Sequence, residues 1–235
     1  MTDCSAPRLT SQPQWLWKHV ALSCVLVSIL LPAVVPINEY FTHHQDAPVP
    51  SEMSDSSIEN NNEIETPFRL VERDKWGARP PSEPLRKMTL PVSHVIICHT
   101  ASNFCTTQSK CANQLRIMQD YQIKNNFADI AYNFLVGGDG LAYIGRSWSY
   151  IGGHSGNYNS ISIGIAFIGD FTSVVPPKTQ LNAAKELIEL GVRAGKIAPD
   201  YKLLGHRQAV KTKSPGDALY NEIKKWPHWS SQPRP

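Results

Sequence analysis

Four short stretches of this 235-residue sequence carry side chains that could do chemistry together. His99 and Thr100 directly follow a β-branched run ending at Cys98, and His206 follows the apolar pair Leu203–Leu204. Thr212, Ser214, Pro215 and Gly216 come soon after His206, while Tyr132 and Asn133 stand in a further apolar run. Imidazole, thiol and phenol groups at strand ends would suit a zinc hydrolase, whose metal takes three protein ligands and keeps a fourth position open. Spacing alone does not single that chemistry out, because some of the chain's eight histidines fall near strand ends by chance.

The elements that must position these groups read as an α/β fold, a mixed central sheet flanked by about three helices. Val92–Cys98 is bounded by Pro91 and reads as a central strand. Gln108 to Lys124 places Leu115, Met118, Tyr121 and Ile123 near helical spacing. Ala131–Val136 and Leu141–Ile144 read as strands joined by Gly137-Gly138-Asp139-Gly140, a hairpin turn that lacks the spacing and the Lys-Ser/Thr ending of a phosphate loop. Ser162–Ile168 is another apolar strand. Pro177 opens a helix running to Ala194, with Leu181, Ala184, Leu187, Ile188 and Val192 on one face. Leu203–Leu204 is a short strand, and Asp217 is the expected N-cap of a last helix reaching Trp226.

Charge divides the chain. Between His19 and Phe68 there are seven acids and no Lys or Arg, whereas from Arg69 onward 21 Lys+Arg face 12 Asp+Glu, a local net charge of +9. Residues 38–66 therefore read as an acidic disordered stalk before a basic domain at 67–235. Val20 to Ile37 is free of charge and long enough, at its limit, to cross a hydrocarbon layer of ~30 Å. Trp15, Trp17, Lys18 and His19 on its N-terminal side predict a single-pass anchor at 20–37, with a short cytoplasmic tail at 1–19 and the domain outside the cell. The competing expectation is a cleaved signal and a secreted protein. Collagen-like, coiled-coil and multi-span membrane readings fail on composition, and no nucleic-acid partner is expected. Of five cysteines, Cys105 and Cys111 lie six apart in a polar stretch, which an oxidising compartment would turn into a short-loop disulfide or leave as two thiols. Cys98 is then the odd one out.

From about Phe68 to Trp229 the chain resembles the peptidoglycan recognition proteins, which are related to phage-type zinc N-acetylmuramoyl-L-alanine amidases. The likeness is carried by Arg73-Asp74-Lys75-Trp76-Gly77, Val95-Ile96-Ile97-Cys98-His99-Thr100, Asp129 through Gly140, Tyr143-Ile144-Gly145-Arg146, Ser162 through Gly169, Gly205-His206-Arg207-Gln208 and Ser214-Pro215-Gly216. It implies that Cys105 and Cys111 are paired. It also implies how a catalytic member would hold zinc: a His at the position of Cys98, a second at His206 and a Cys at Ser214, with Tyr132 and Thr212 assisting.

Only His206, Tyr132 and Thr212 match that pattern; Cys98 and Ser214 stand where the ligands should be. A Ser hydroxyl offers no anion near neutral pH, and a Cys side chain is shorter than His by a ring. The resemblance thus implies a degenerate metal site (Cys98, His206, Ser214) with no cofactor and no catalytic residue. The expected protein is a membrane-anchored, noncatalytic, insect-type receptor or co-receptor that binds bacterial peptidoglycan. The alternatives are an active amidase, or a regulatory partner that pairs with itself or other recognition proteins without useful ligand binding. Trp76, His99, Thr100, Tyr132, Arg146, His154, Asn159, His206 and Thr212 are the expected groove residues. Arg146 is placed to read the extra carboxylate of diaminopimelic-acid peptides through paired hydrogen bonds.

Overall fold

The computed structural model describes residues 68–232. The expected segments 1–19, 20–37 and 38–66 lie outside them. Among the described residues no helix is long and apolar enough to cross a membrane.

In chain order the elements are β1 (Leu70–Val71), α1 (Arg73–Trp76), β2 (Val92–His99), α2 (Gln108–Lys124), β3 (Phe134–Val136) and β4 (Ala142–Ile144). A 3-10 turn at Gly156–Tyr158 precedes β5 (Ser162–Phe167), α3 (Lys178–Arg193), β6 (Ile197–Gly205), α4 (His206–Ala209) and α5 (Asp217–Ile223). The strands form one mixed sheet in the order β1-β4-β3-β5-β2-β6, antiparallel only between β3 and β4. The Gly137–Gly140 turn does join that antiparallel pair.

Strand alternation gives the sheet two apolar faces. Val95 and Ile97 of β2 pack with Leu181, Ala184 and Leu187 of α3 and Leu219 and Ile223 of α5. Ile96 and Cys98 point the other way, toward Leu115 of α2 and Trp76 of α1. Thr107 caps α2 by accepting the Lys110 N–H, and the Cys105–Cys111 disulfide ties its first turn to the loop after β2.

Several boundaries differ from the sequence reading. The expected strand from Ala131 begins only at Phe134, because Asn133 gives its carbonyl to the Gly145 and Ser147 N–H groups of a turn instead of a ladder. β6 is longer than Leu203–Leu204 and starts at Ile197; Pro199 and Asp200 mask it in sequence, and its register with β2 shifts between Ile197 and Lys202. α5 is capped by Gly216 at φ +90°, with Asp217 inside the first turn, where its charge suits the helix dipole.

Trp76 is corrected from groove wall to core. Its indole is fully buried and donates its N–H to the Ile144 carbonyl at 2.9 Å. Beneath it, the buried Asp129 carboxylate pairs with Arg73 (3.0 Å) and accepts from Gln119 (2.6 Å) and the Ile130 N–H (2.7 Å). That network, which the sequence reading missed, joins α1 and α2 to the loop that leads to Tyr132.

Candidate functional site

The expected cleft lies on the sheet face that carries Ile96 and Cys98. Register places Ile96 beside Gly164 of β5 and Leu204 of β6, and Cys98 beside Ala166. Because Ile97 is opposite Gly205, the next residue on each strand brings His206 level with Cys98. Gly164 is required here: a Cβ on it would come within 2.4 Å of the His154 ring, which lies over this glycine and Gly152. Tyr132 stacks on His154 with ring centroids 6.5 Å apart. Asn133, buried between strands, accepts from Gly164 N–H at 3.0 Å and donates to the Ser147 and Tyr150 carbonyls at 2.9 Å, so it fastens the following loop to the sheet. A buried Asn in an apolar run was the available signal for it.

The structure brings Cys98, Tyr132, His154 and His206 together. Cys98 is fully buried, and burial pushes its thiol well above the ordinary range. Burial, and then the neighbouring Cys98, raises the Tyr132 phenol as well. His154 is held down to about 3 by burial, with His206 and Arg146 adding repulsion. His206 is also lowered by burial, against the opposing effect of the His154 carbonyl, to which its Nε2–H donates at 2.7 Å. Its Nδ1 is buried with no hydrogen-bond partner among the described residues.

The Ser214 hydroxyl oxygen accepts the His99 N–H at 3.1 Å. Thr212 is exposed, and its hydroxyl accepts the Ser214 N–H at 3.2 Å. Thr100 is half-buried and accepts the Gly169 N–H at 2.9 Å. His99 does not face the cleft floor. Adjacent strand residues point to opposite faces, so its ring lies on the α3 side, where Nδ1 accepts the Phe171 N–H at 3.2 Å and sits 3.7 Å from Asp170. Asn159 accepts from two N–H groups of its own loop. Among the described residues, no three His, Cys, Asp or Glu side chains gather closely enough to hold a metal ion.

Arg146 is nearly buried. Its Nε, Nη1 and Nη2 donate to the carbonyls of Ile130 (2.8 Å), Ile151 (3.0 Å) and Asp129 (3.3 Å). A guanidinium has five N–H donors, so two remain for a ligand. It lines two cavities, of about 660 and 400 Å³, that share Glu83, Pro84 and Leu85 as a wall. Gly153 leaves it room, since a Cβ there would lie 3.2 Å from Nη2. The next residue, Ser147, sits at φ +60°, a left-handed conformation that a side chain strains. Ser147→Gly is therefore expected to raise stability by about 0.5–1 kcal/mol. Thermal melting checks this: a gain of about 2 °C is expected, and a loss would contradict the strain.

The N-acetylmuramoyl-L-alanine amidase family model matches residues 88–217. Peptidoglycan-recognition protein SD of Drosophila melanogaster is 44% identical over 164 residues, 69% of this chain and 88% of that protein. A solved complex of the ectodomains of peptidoglycan recognition proteins LCa and LCx with tracheal cytotoxin contains a chain 44% identical, with a TM-score of 0.68 over 69% of this chain and 99% of that one. Peptidoglycan recognition protein LE, solved with tracheal cytotoxin (a monomeric diaminopimelic acid-type peptidoglycan), is 41% identical, with a TM-score of 0.68 over 68% of this chain and 95% of that one.

Proposed function

Because the chain belongs to the peptidoglycan recognition proteins, whose domain has the amidase fold, we propose that its cleft binds bacterial peptidoglycan by the peptide stem and leaves it uncut. The observation that carries this reading is the state of the groups at the family's metal-ligand positions. Cys98 is fully buried, which disfavours its thiolate, and the Ser214 hydroxyl already accepts the His99 N–H. Of these three positions, only His206 carries an imidazole nitrogen, and no hydrogen bond from the described residues engages its Nδ1. One good donor does not fit zinc, which would supply activated water if held by three.

The solved relatives LE and LCa–LCx bind tracheal cytotoxin, and that supports the same ligand class here. Tyr132, His154, His206 and Thr212 line the stem-peptide groove, and the +9 domain suits an acidic ligand. Arg146 keeps two N–H groups for the diaminopimelic carboxylate. The heteromeric LCa–LCx complex supports pairing with other recognition proteins. The apolar run 20–37 anchors the domain on the outer face of the plasma membrane.

Calorimetry of the purified protein with diaminopimelic-acid and lysine muropeptides tests the binding. Heat with the first ligand is expected, and none with either would overturn the reading. Arg146→Ala should weaken diaminopimelic-acid binding at least tenfold more than lysine binding. Taking the ratio on one preparation removes any general loss of folded protein. Equal losses would reduce Arg146 to a strut between its three carbonyls.

A further inference from the structure

Asn159 was expected in the groove wall, but its carboxamide oxygen is held by the N–H groups of His154 (3.0 Å) and Ser155 (2.7 Å). The second bond has a consequence two residues removed from the cleft. A trans peptide unit is planar, with its N–H and C=O pointing in opposite directions. The unit joining His154 to Ser155 therefore behaves as a rod with two ends. Its N–H end is fixed on Asn159, and its carbonyl end accepts the His206 Nε2–H at 2.7 Å.

We infer that Asn159 is a positioning residue for His206, acting through that single peptide plane. The surroundings leave the rod little freedom to turn. The His154 ring is seated over Gly152 and Gly164, its Nδ1 is 2.8 Å from the Ser155 hydroxyl, and the Gly153 N–H donates to the Ala131 carbonyl at 2.7 Å. The turn that delivers Asn159 is closed by its own N–H on the Gly156 carbonyl and by the Ser162 hydroxyl on the Tyr158 carbonyl at 2.7 Å.

With Nε2 donating, the neutral His206 ring keeps its lone pair on Nδ1. No hydrogen bond from the described residues engages that atom. The relay thus fixes which nitrogen is the acceptor and which way the ring faces. In the reading given under Proposed function, His206 lines the stem-peptide groove, so the facing of its ring bears on ligand affinity. The binding arm below rests on that reading, whereas the exchange arm does not.

The test follows the His206 Nε2–H proton by nitrogen-15 NMR at fixed pH and measures its exchange with water in the full chain. Asn159→Ala should exchange at least tenfold faster than wild type. Asn159→Asp, which keeps an acceptor oxygen at the same reach, should stay within about threefold, and Asn159→Ser should fall between. Unchanged exchange in a folded Asn159→Ala protein would overturn the inference, as would an Asp variant no better than Ala. If Asn159→Ala does not fold, the order of the Asp and Ser variants decides the matter in the same way. Muropeptide affinity should follow the same order. Exchange that obeys the order with affinity unmoved would keep the relay and remove His206 from the ligand contacts.

Discussion

The double variant Cys98→His, Ser214→Cys is expected to hold one equivalent of zinc, which the native chain is not. Two imidazoles and a thiolate make the three-ligand set that zinc favours. The costs of installing them are modest by comparison. A larger side chain at the fully buried Cys98 position overpacks the floor by ~1–3 kcal/mol. Removing the Ser214 hydroxyl withdraws the acceptor of the His99 N–H, worth ~1 kcal/mol. A complete zinc set contributes ~10–16 kcal/mol, which exceeds both together. Either substitution alone leaves two good donors, and its zinc affinity should be at least 100-fold weaker than that of the double variant. Competition with a chromophoric chelator measures all three. A folded double variant that takes up no zinc would show that Cys98, His206 and Ser214 do not mark the old metal position.

The second large effect concerns Trp76. Trp76→Ala should lower stability by ~3–5 kcal/mol, because it empties a fully buried indole site and strips the Ile144 carbonyl of its donor. The ring also lies 5.5 Å from the Arg73 guanidinium, so the Asp129 network loses a neighbour as well. Trp76→Phe keeps most of the volume but no N–H, and should cost ~1–2 kcal/mol. Urea denaturation gives both values. Measured on the folded fraction, muropeptide affinity should change by less than about twofold in either variant. A groove-wall tryptophan would give the reverse pattern, with affinity lost and stability kept.

The fold was legible where periodicity is strong. β2 and α2 stand where the β-branched run and the helical spacing put them, and the glycine turn joins an antiparallel pair as expected. What escaped depends on contacts distant in sequence. β6 contains Pro199 and Asp200, which read as a break until β2 is found alongside. β1, with two residues, has no period at all; it exists because Leu70 and Val71 pair with Ala142 and Tyr143.

The site was legible in its residue types and only partly in its directions. Cys98 and His99 are neighbours on one strand, so alternation allows only one of them to face the cleft floor. The sequence reading placed both in the site, and the sheet assigns the floor to Cys98. Asn159 was expected in the cleft wall, yet its bonds run to its own loop. Asn133 and Asp129, which hold the scaffold beneath the site, lie inside the family's Asp-Ile-Ala-Tyr-Asn-Phe segment. There, Asn133 was read as part of the strand Ala131–Val136, and Asp129 only as part of the resemblance.

The most direct test is to incubate the full-length protein, supplied with zinc, with a diaminopimelic-acid muropeptide, and to weigh the bound ligand by mass spectrometry. The account predicts a muropeptide of unchanged mass, its lactyl–L-alanine amide intact. Recovery of free stem peptide and sugar, at a rate that scales with the protein and is abolished by chelation, would contradict it.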